Sequence, residues 1–127
     1  MKEYDLISIG TGSAMNTVEL MLRENPNIRV AIIDKDEPGG ICLTLGCIPS
    51  KLLLYPAEVI RIIEAADRFG IDVNIKGIDF EKAMERMRKI IDEDINAMRH
   101  GLTHSKNIHY SKFCCGICCP LHAQGWQ

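Results

Sequence analysis

The sequence predicts an α/β fold in which the beginning of a parallel sheet is followed by long helices. Three observations carry that prediction. Residues 4–9 and 28–33 are short apolar runs of strand length, the first ending at Gly10 and the second at Asp34. Between them, a glycine-bearing turn, Gly10-Thr-Gly-Ser-Ala-Met15, opens a helical pattern that runs to Glu24. From Leu52 onward, two stretches place apolar residues at helical spacing. Strand, crossover helix and strand in that order form the unit from which parallel sheets are built.

Composition bounds what this fold can do. Of 127 residues, 46% are apolar and 25% charged, enough for a core within one domain at most. The formal net charge is −2 and no basic cluster occurs, which gives no footing for a nucleic-acid partner. The N-terminal MKEYDLISIG carries acidic residues and reaches a glycine directly after its apolar run, unlike a signal peptide. No uninterrupted apolar run approaches the roughly 18 residues that span a membrane. A cytoplasmic protein with no membrane partner is expected. Six cysteines in such a chain point to redox or metal chemistry more than to structural disulfides.

In chain order, residues 4–9 read as a buried parallel strand. Gly10 permits the tight turn after it, and Gly12 lets backbone approach a pyrophosphate at the helix N-terminus. The third glycine of a G-x-G-x-x-G pattern is replaced by Met15, so the helix is expected to sit slightly off the strand. Asp34 ends the second strand 24 residues after Gly10, the place of a carboxylate that holds an adenosine ribose, or else of an acid in solvent. Lys35 follows, beside the adenine or in an exposed loop.

Next comes Gly39-Gly-Ile-Cys-Leu-Thr-Leu-Gly-Cys-Ile-Pro-Ser-Lys51, with Cys42 and Cys47 separated by four residues. In an ideal helix their Cα atoms would stand about 8.7 Å apart. A disulfide tolerates roughly 7 Å at most. A bridge therefore needs a distorted turn, for which Gly46 offers freedom and Pro49 lacks the helical N–H. The opening of a helix is electropositive and favours thiolate. The spacing equally admits two buried free cysteines on a helix.

Residues 52–69 carry apolar side chains nearly all round, so this helix expects cover on several faces, with Gly70 as its stop. Ile71, Val73 and Ile75 alternate with polar residues in a short extended segment. Asp79 then reads as an N-cap. Phe80, Met84, Met87, Ile91, Met98 and Leu102 form the helical stripe that follows, a core or partner-facing stripe rather than a methionine metal site. Ile108, Tyr110 and Phe113 read as a third parallel strand.

The string GGICLTLGCIPSKLL resembles the disulfide segment of the class I pyridine nucleotide–disulfide oxidoreductases, a family that includes dihydrolipoamide dehydrogenase, glutathione, mycothione and mercuric reductases. The resemblance runs from about residue 3 to residue 113. It implies a partial Rossmann-like FAD-binding domain with a long antiparallel helix pair over residues 1–113. It implies that Cys42 and Cys47 are the catalytic, redox-active disulfide: Cys42, nearer the helix start, would meet the substrate, and Cys47 would lie against the isoalloxazine. Gly10, Gly12, Asp34, Lys35 and Gly40 would hold the adenosine and pyrophosphate, with Lys51 near the flavin's reactive nitrogen. Asp34 stands where the family usually has Glu, and Ile41 where it often has Thr.

The implied activity is FAD-dependent electron transfer between NAD or NADP and a small-molecule disulfide, dithiol or lipoyl group, in a homodimer. Dihydrolipoamide dehydrogenase is favoured. A mercuric or mycothione reductase-like chain is the alternative, and a non-catalytic flavin- or thiol-binding module another. The match covers only the N-terminal part of a family chain several-fold longer, so this polypeptide is expected to be truncated and to lack reductase activity alone. Residues 114–127 hold four of the six cysteines, within six positions, and not one charge. They read as an out-of-frame or broken end. A thiolate zinc site of Cys115, Cys118 and His122 is the functional alternative.

Overall fold

The computed structural model describes residues 2–113. Their elements are β1 (Leu6–Ile9), α1 (Ala14–Glu24), β2 (Val30–Asp34), α2 (Gly40–Thr44), α3 (Cys47–Glu64), a 3-10 turn at Ala66–Phe69, α4 (Phe80–His104) and β3 (Ile108–Lys112). The strands form one parallel sheet in the order β1-β2-β3, with Leu6 opposite Val30 and Val30 opposite Ile108. That order matches one half of a doubly wound sheet, whose strands run 1-2-3 outward from the switch point. The Cys-rich end and the zinc alternative lie outside the described residues.

One face of the sheet is the core. Val18 of α1, Val30 and Ile32 of β2 and Leu102 of α4 are buried together. Leu6, Ile108 and Tyr110 from the flanking strands pack against them. Met15 joins this cluster, so the residue in place of the third glycine finds room under the sheet. On the opposite face Ala31 is buried, but no helix among the described residues covers β1. Ile7 and Ile9 point to that face and are 58% and 42% exposed. The expectation of a strand buried on both faces thus fails for β1, because α1 and α4 cover the same side and β1 is an edge among the described residues.

The helices follow the apolar pattern with three differences. The run expected over residues 52–69 starts earlier, at Cys47, and ends as a 3-10 turn closed by Gly70, whose N–H donates to the Asp67 carbonyl at 2.9 Å. Pro49 lies in the first turn of α3, where a missing N–H costs nothing, but Pro56 lies inside it and leaves the Leu52 carbonyl without its helical donor. Cover on several faces is not found: α3 packs along α4, no α3 residue is fully buried, and Leu54 and Ile62 stay exposed. The stretch Gly40–Glu64 reaches the length and mean hydropathy, 1.3, of a membrane span, although polar and charged residues such as Ser50, Lys51 and Glu58 interrupt it. Here it is broken at Gly46 and folded back on α4.

Residues 71–79 pair with no strand. Asp79 caps α4, its carboxylate accepting from the Lys82 N–H at 2.9 Å. At about 37 Å, α4 spans the length of the unit. It runs antiparallel to α3 and returns the chain to the sheet, delivering Leu102 to the core and then β3. Phe113 lies one residue past β3 and is exposed, so it is not part of the third strand.

Candidate functional site

The carboxyl ends of the strands open onto a cleft of about 430 Å³, lined by Gly10, Thr11, Gly12, Asp34, Asp36, Glu37, Gly40, Ile41, Thr44 and Leu45. In an open α/β sheet this is the end at which ligands bind. A second cleft, of about 490 Å³, lies at the other end of the strands, around Tyr4, Arg29 and His109.

Two backbone segments meet at the floor of the first cleft. Gly40 has φ +63°. A Cβ placed on it would stand 2.6 Å from the Gly12 Cα. Only two bare backbones can approach so closely, and this leaves the turn after β1 and the start of α2 in direct contact. Met15 and Asn16 donate to the Gly12 and Ser13 carbonyls. The amides before them are therefore the orphan donors of the first turn of α1.

Thr11 fastens this floor, a role that nothing in the motif spacing indicates. It is 1% exposed. Its N–H and its hydroxyl both donate to Asp34 Oδ2, at 2.7 and 2.5 Å, and its hydroxyl accepts from the Gly39 N–H at 2.9 Å. Asp34 Oδ1 accepts from the Asp36 N–H at 3.2 Å. Asp34 is thus in the cleft, and one of its oxygens is committed to the glycine turn. Lys35 is exposed and does not line the cleft. Ile41, 77% exposed, offers an apolar surface where a hydroxyl was in question.

Glu37 ties the cleft rim to the far end of the chain. Its carboxylate accepts from Lys112 of β3 and from Arg99 of α4. The Lys112 hydrogen bond first, then the Arg99 one, holds the Glu37 carboxyl below its ordinary 4.5. None of Thr11, Glu37, Arg99 or Lys112 stood out in the sequence, since their partners lie 23 to 75 positions away. Tyr110, at the same end of the sheet, has a buried hydroxyl with no hydrogen-bond partner among the described residues. Burial, then the charges of Asp34 and Glu37, push its pKa up.

The thiols stand beside this cleft, one on each side of a helix break. Cys42 is on α2, whose Gly40, Ile41, Thr44 and Leu45 reach or adjoin the lining. The chain breaks at Gly46, where a Cβ would meet the Ile41 carbonyl oxygen at 2.9 Å, and α3 starts afresh at Cys47. The distorted turn required by the five-residue spacing is therefore present. It corrects one expectation: Cys47, not Cys42, opens the long helix and faces its positive end. Both cysteines are exposed thiols. The neighbouring Cys47 thiol is the main cause raising the Cys42 pKa above its ordinary 9.0, while the charge of Lys51 works to lower it. Lys51 lies one turn after Cys47, on the same face of α3.

No family model matches the chain. It is 34% identical over 104 residues to the dihydrolipoyl dehydrogenase of Bacillus subtilis (strain 168), covering 82% of this chain and 22% of that protein. It is 37% identical over 92 residues to the mycothione reductase of Mycobacterium tuberculosis (strain H37Rv), covering 72% and 19%. Among solved structures, the Cu(II) complex of the HOCl-induced flavoprotein disulfide reductase RclA from Escherichia coli superposes with a TM-score of 0.65 at 28% identity, over 87% of this chain and 21% of that one. The chain thus spans about a fifth of the length of the relatives it matches. Sequence, sheet order and the C-x4-C pair agree, and the chain belongs to the pyridine nucleotide–disulfide oxidoreductases, as the counterpart of the N-terminal part of their flavin-binding domain.

Proposed function

We propose that the chain supplies the flavin seat and the redox thiols of an FAD-dependent pyridine nucleotide–disulfide oxidoreductase of the dihydrolipoamide dehydrogenase kind. The observation that carries this reading is the placement of the two thiols: Cys42 lies on α2, which lines the glycine cleft, and Cys47 opens α3 directly after the break at Gly46. The residues fit the adenosine-diphosphate end of FAD: bare backbone at Gly12 and Gly40, a helix N-terminus aimed at the cleft, and Asp34 beside it. Gly10, Gly12 and Gly40 hold the pyrophosphate, and Asp34 accepts from the ribose through its less committed oxygen. We give Lys35 no more than a solvent-side position near the adenine. Bound there, FAD carries an electron pair between the thiols and NAD or NADP.

The thiol pair does the sulfur chemistry. Oxidation of the dithiol forms one Cys42–Cys47 bond and releases two protons and two electrons. An incoming small disulfide or lipoyl group takes up those two protons and two electrons as its own S–S bond breaks. Cys42, on the short exposed helix, attacks the substrate sulfur. Cys47, at the positive end of α3, is the second sulfur of the bridge. Lys51 supports a thiolate at the pair and stands near the flavin ring. A reducing cytoplasm suits a pair that cycles, and a homodimer is the assembly we assign. The mycothione reductase relative makes a low-molecular-weight thiol disulfide the second substrate candidate.

Oxidised lipoamide tests the sulfur half. Peptide mapping of the treated chain is expected to find a Cys42–Cys47 bridge, and Cys47→Ser is expected to abolish it. Cysteines left free, or bridged only to the C-terminal cysteines, would sink the proposal. Flavin absorbance retained on the purified chain tests the cofactor half; with the bridge formed but no flavin held, the thiol-module reading replaces it.

A further inference from the structure

The C-terminal end of α4 holds two side chains that neither the cleft nor the thiols use. His100 and His104 are four residues apart, both exposed, and their rings stack with centroids 4.0 Å apart and planes 17° apart. Positions i and i+4 share a helix face. We propose that His100 and His104 form a two-imidazole site for a divalent late transition-metal ion, of the Ni(II), Cu(II) or Zn(II) class.

The local hydrogen bonding presets one of the ligands. His104 Nδ1 lies 2.9 Å from the His100 carbonyl oxygen and 3.0 Å from Thr103 Oγ1. Thr103 Oγ1 spends its own proton on the Arg99 carbonyl at 2.8 Å. Both neighbours are therefore acceptors, and Nδ1 carries the hydrogen. The lone pair of His104 is then on Nε2, the arrangement in which metal-binding imidazoles are held. Among the described residues no hydrogen bond engages the His100 ring, so both of its nitrogens are available.

Distance and charge agree. An ion about 2.0–2.1 Å from each nitrogen needs the two donors about 3 Å apart with their lone pairs converging. The rings, whose centres are already 4.0 Å apart, reach that by turning out of their stack, which two exposed side chains are free to do. His104 is the last residue of α4, where the helix presents unpaired carbonyls and partial negative charge. Imidazole suits these metals and disfavours Mg(II) and Ca(II), which take oxygen. No third His, Cys, Asp or Glu joins the pair among the described residues. Water completes the coordination, so the site is an exchangeable surface clamp.

The test is a Ni(II) titration of the full chain after its thiols are blocked with iodoacetamide, which silences sulfur ligands. One equivalent is expected to bind and to raise the melting temperature. Either His100→Asn or His104→Asn is expected to weaken binding by about tenfold or more, through loss of the chelate. His109→Asn and His122→Asn should leave it unchanged. Circular dichroism of each variant checks that α4 is intact. Binding that survives both helix substitutions, or that falls with His122→Asn instead, would overturn the proposal, as would no binding below millimolar Ni(II).

Discussion

At Gly40 the chain has no room for a side chain. A methyl group there would overlap the Gly12 Cα, and the backbone is in the left-handed region besides. Gly40→Ala is therefore expected to cost about 1–3 kcal/mol, from overpacking and a strained backbone together. It should widen the cleft floor and weaken any flavin retained. Denaturant melts of the two chains check the first, and an unchanged midpoint would refute it. Glu37 governs pH dependence. Its folded pKa lies below 4.5 because it is bound to Lys112 and Arg99. Its contribution is thus complete above pH 4.5 and disappears as pH falls through the lower folded value. Melting temperatures taken between about pH 6 and about pH 3 should show parent and Glu37→Gln converging at the acid end. Asp5, whose pKa is lowered by the Arg29 N–H, titrates alike in both and cancels. At this scale the sequence marked Gly40, Asp34 and both thiols, because motif spacing names them. It was silent on Thr11, Glu37 and Arg99, whose importance exists only after distant segments meet.

At the scale of elements, the two long helices differ in what holds them. The first turn of α4 rests on a local signal, the Asp79 carboxylate on the Lys82 N–H. Asp79→Ala should cost about 1 kcal/mol, with Asp79→Ser restoring most of it. Thermal melts followed at 222 nm measure both. α3 has no side-chain cap and an internal proline, so it depends on packing along α4. The five-residue thiol spacing demands a break, and Gly46 is the residue free to make it. The structure adds that position 46 has no room for a Cβ beside the Ile41 carbonyl, and that the helix restarts at once, at Cys47, ahead of the apolar run from Leu52.

At the scale of the whole molecule, the sheet is half a doubly wound fold. α1 and α4 cover one face, while Ile7, Ile9 and Phe113 are exposed. Parallel sheets are normally covered on both faces, and this chain matches about a fifth of its relatives' length. The face that carries Ile7 and Ile9 should bind the dye ANS. Substituting Ile7 and Ile9 together by Thr should lower that fluorescence while changing stability by less than about 1 kcal/mol, since both side chains are well exposed. Undiminished dye binding would place the apolar surface elsewhere, on α3.

The sequence by itself determined the strand–turn–helix–strand order, the α4 cap, and the thiol pair after a double glycine, because each is written in neighbouring residues. Tertiary structure alone decided that Thr11 and Asp34 lock the cleft floor, that Glu37 joins α4 to β3, and that among the described residues α1 and α4 share one face of the sheet. Those outcomes depend on which surfaces meet across 23 to 75 residues of chain, and no local periodicity or propensity encodes such meetings.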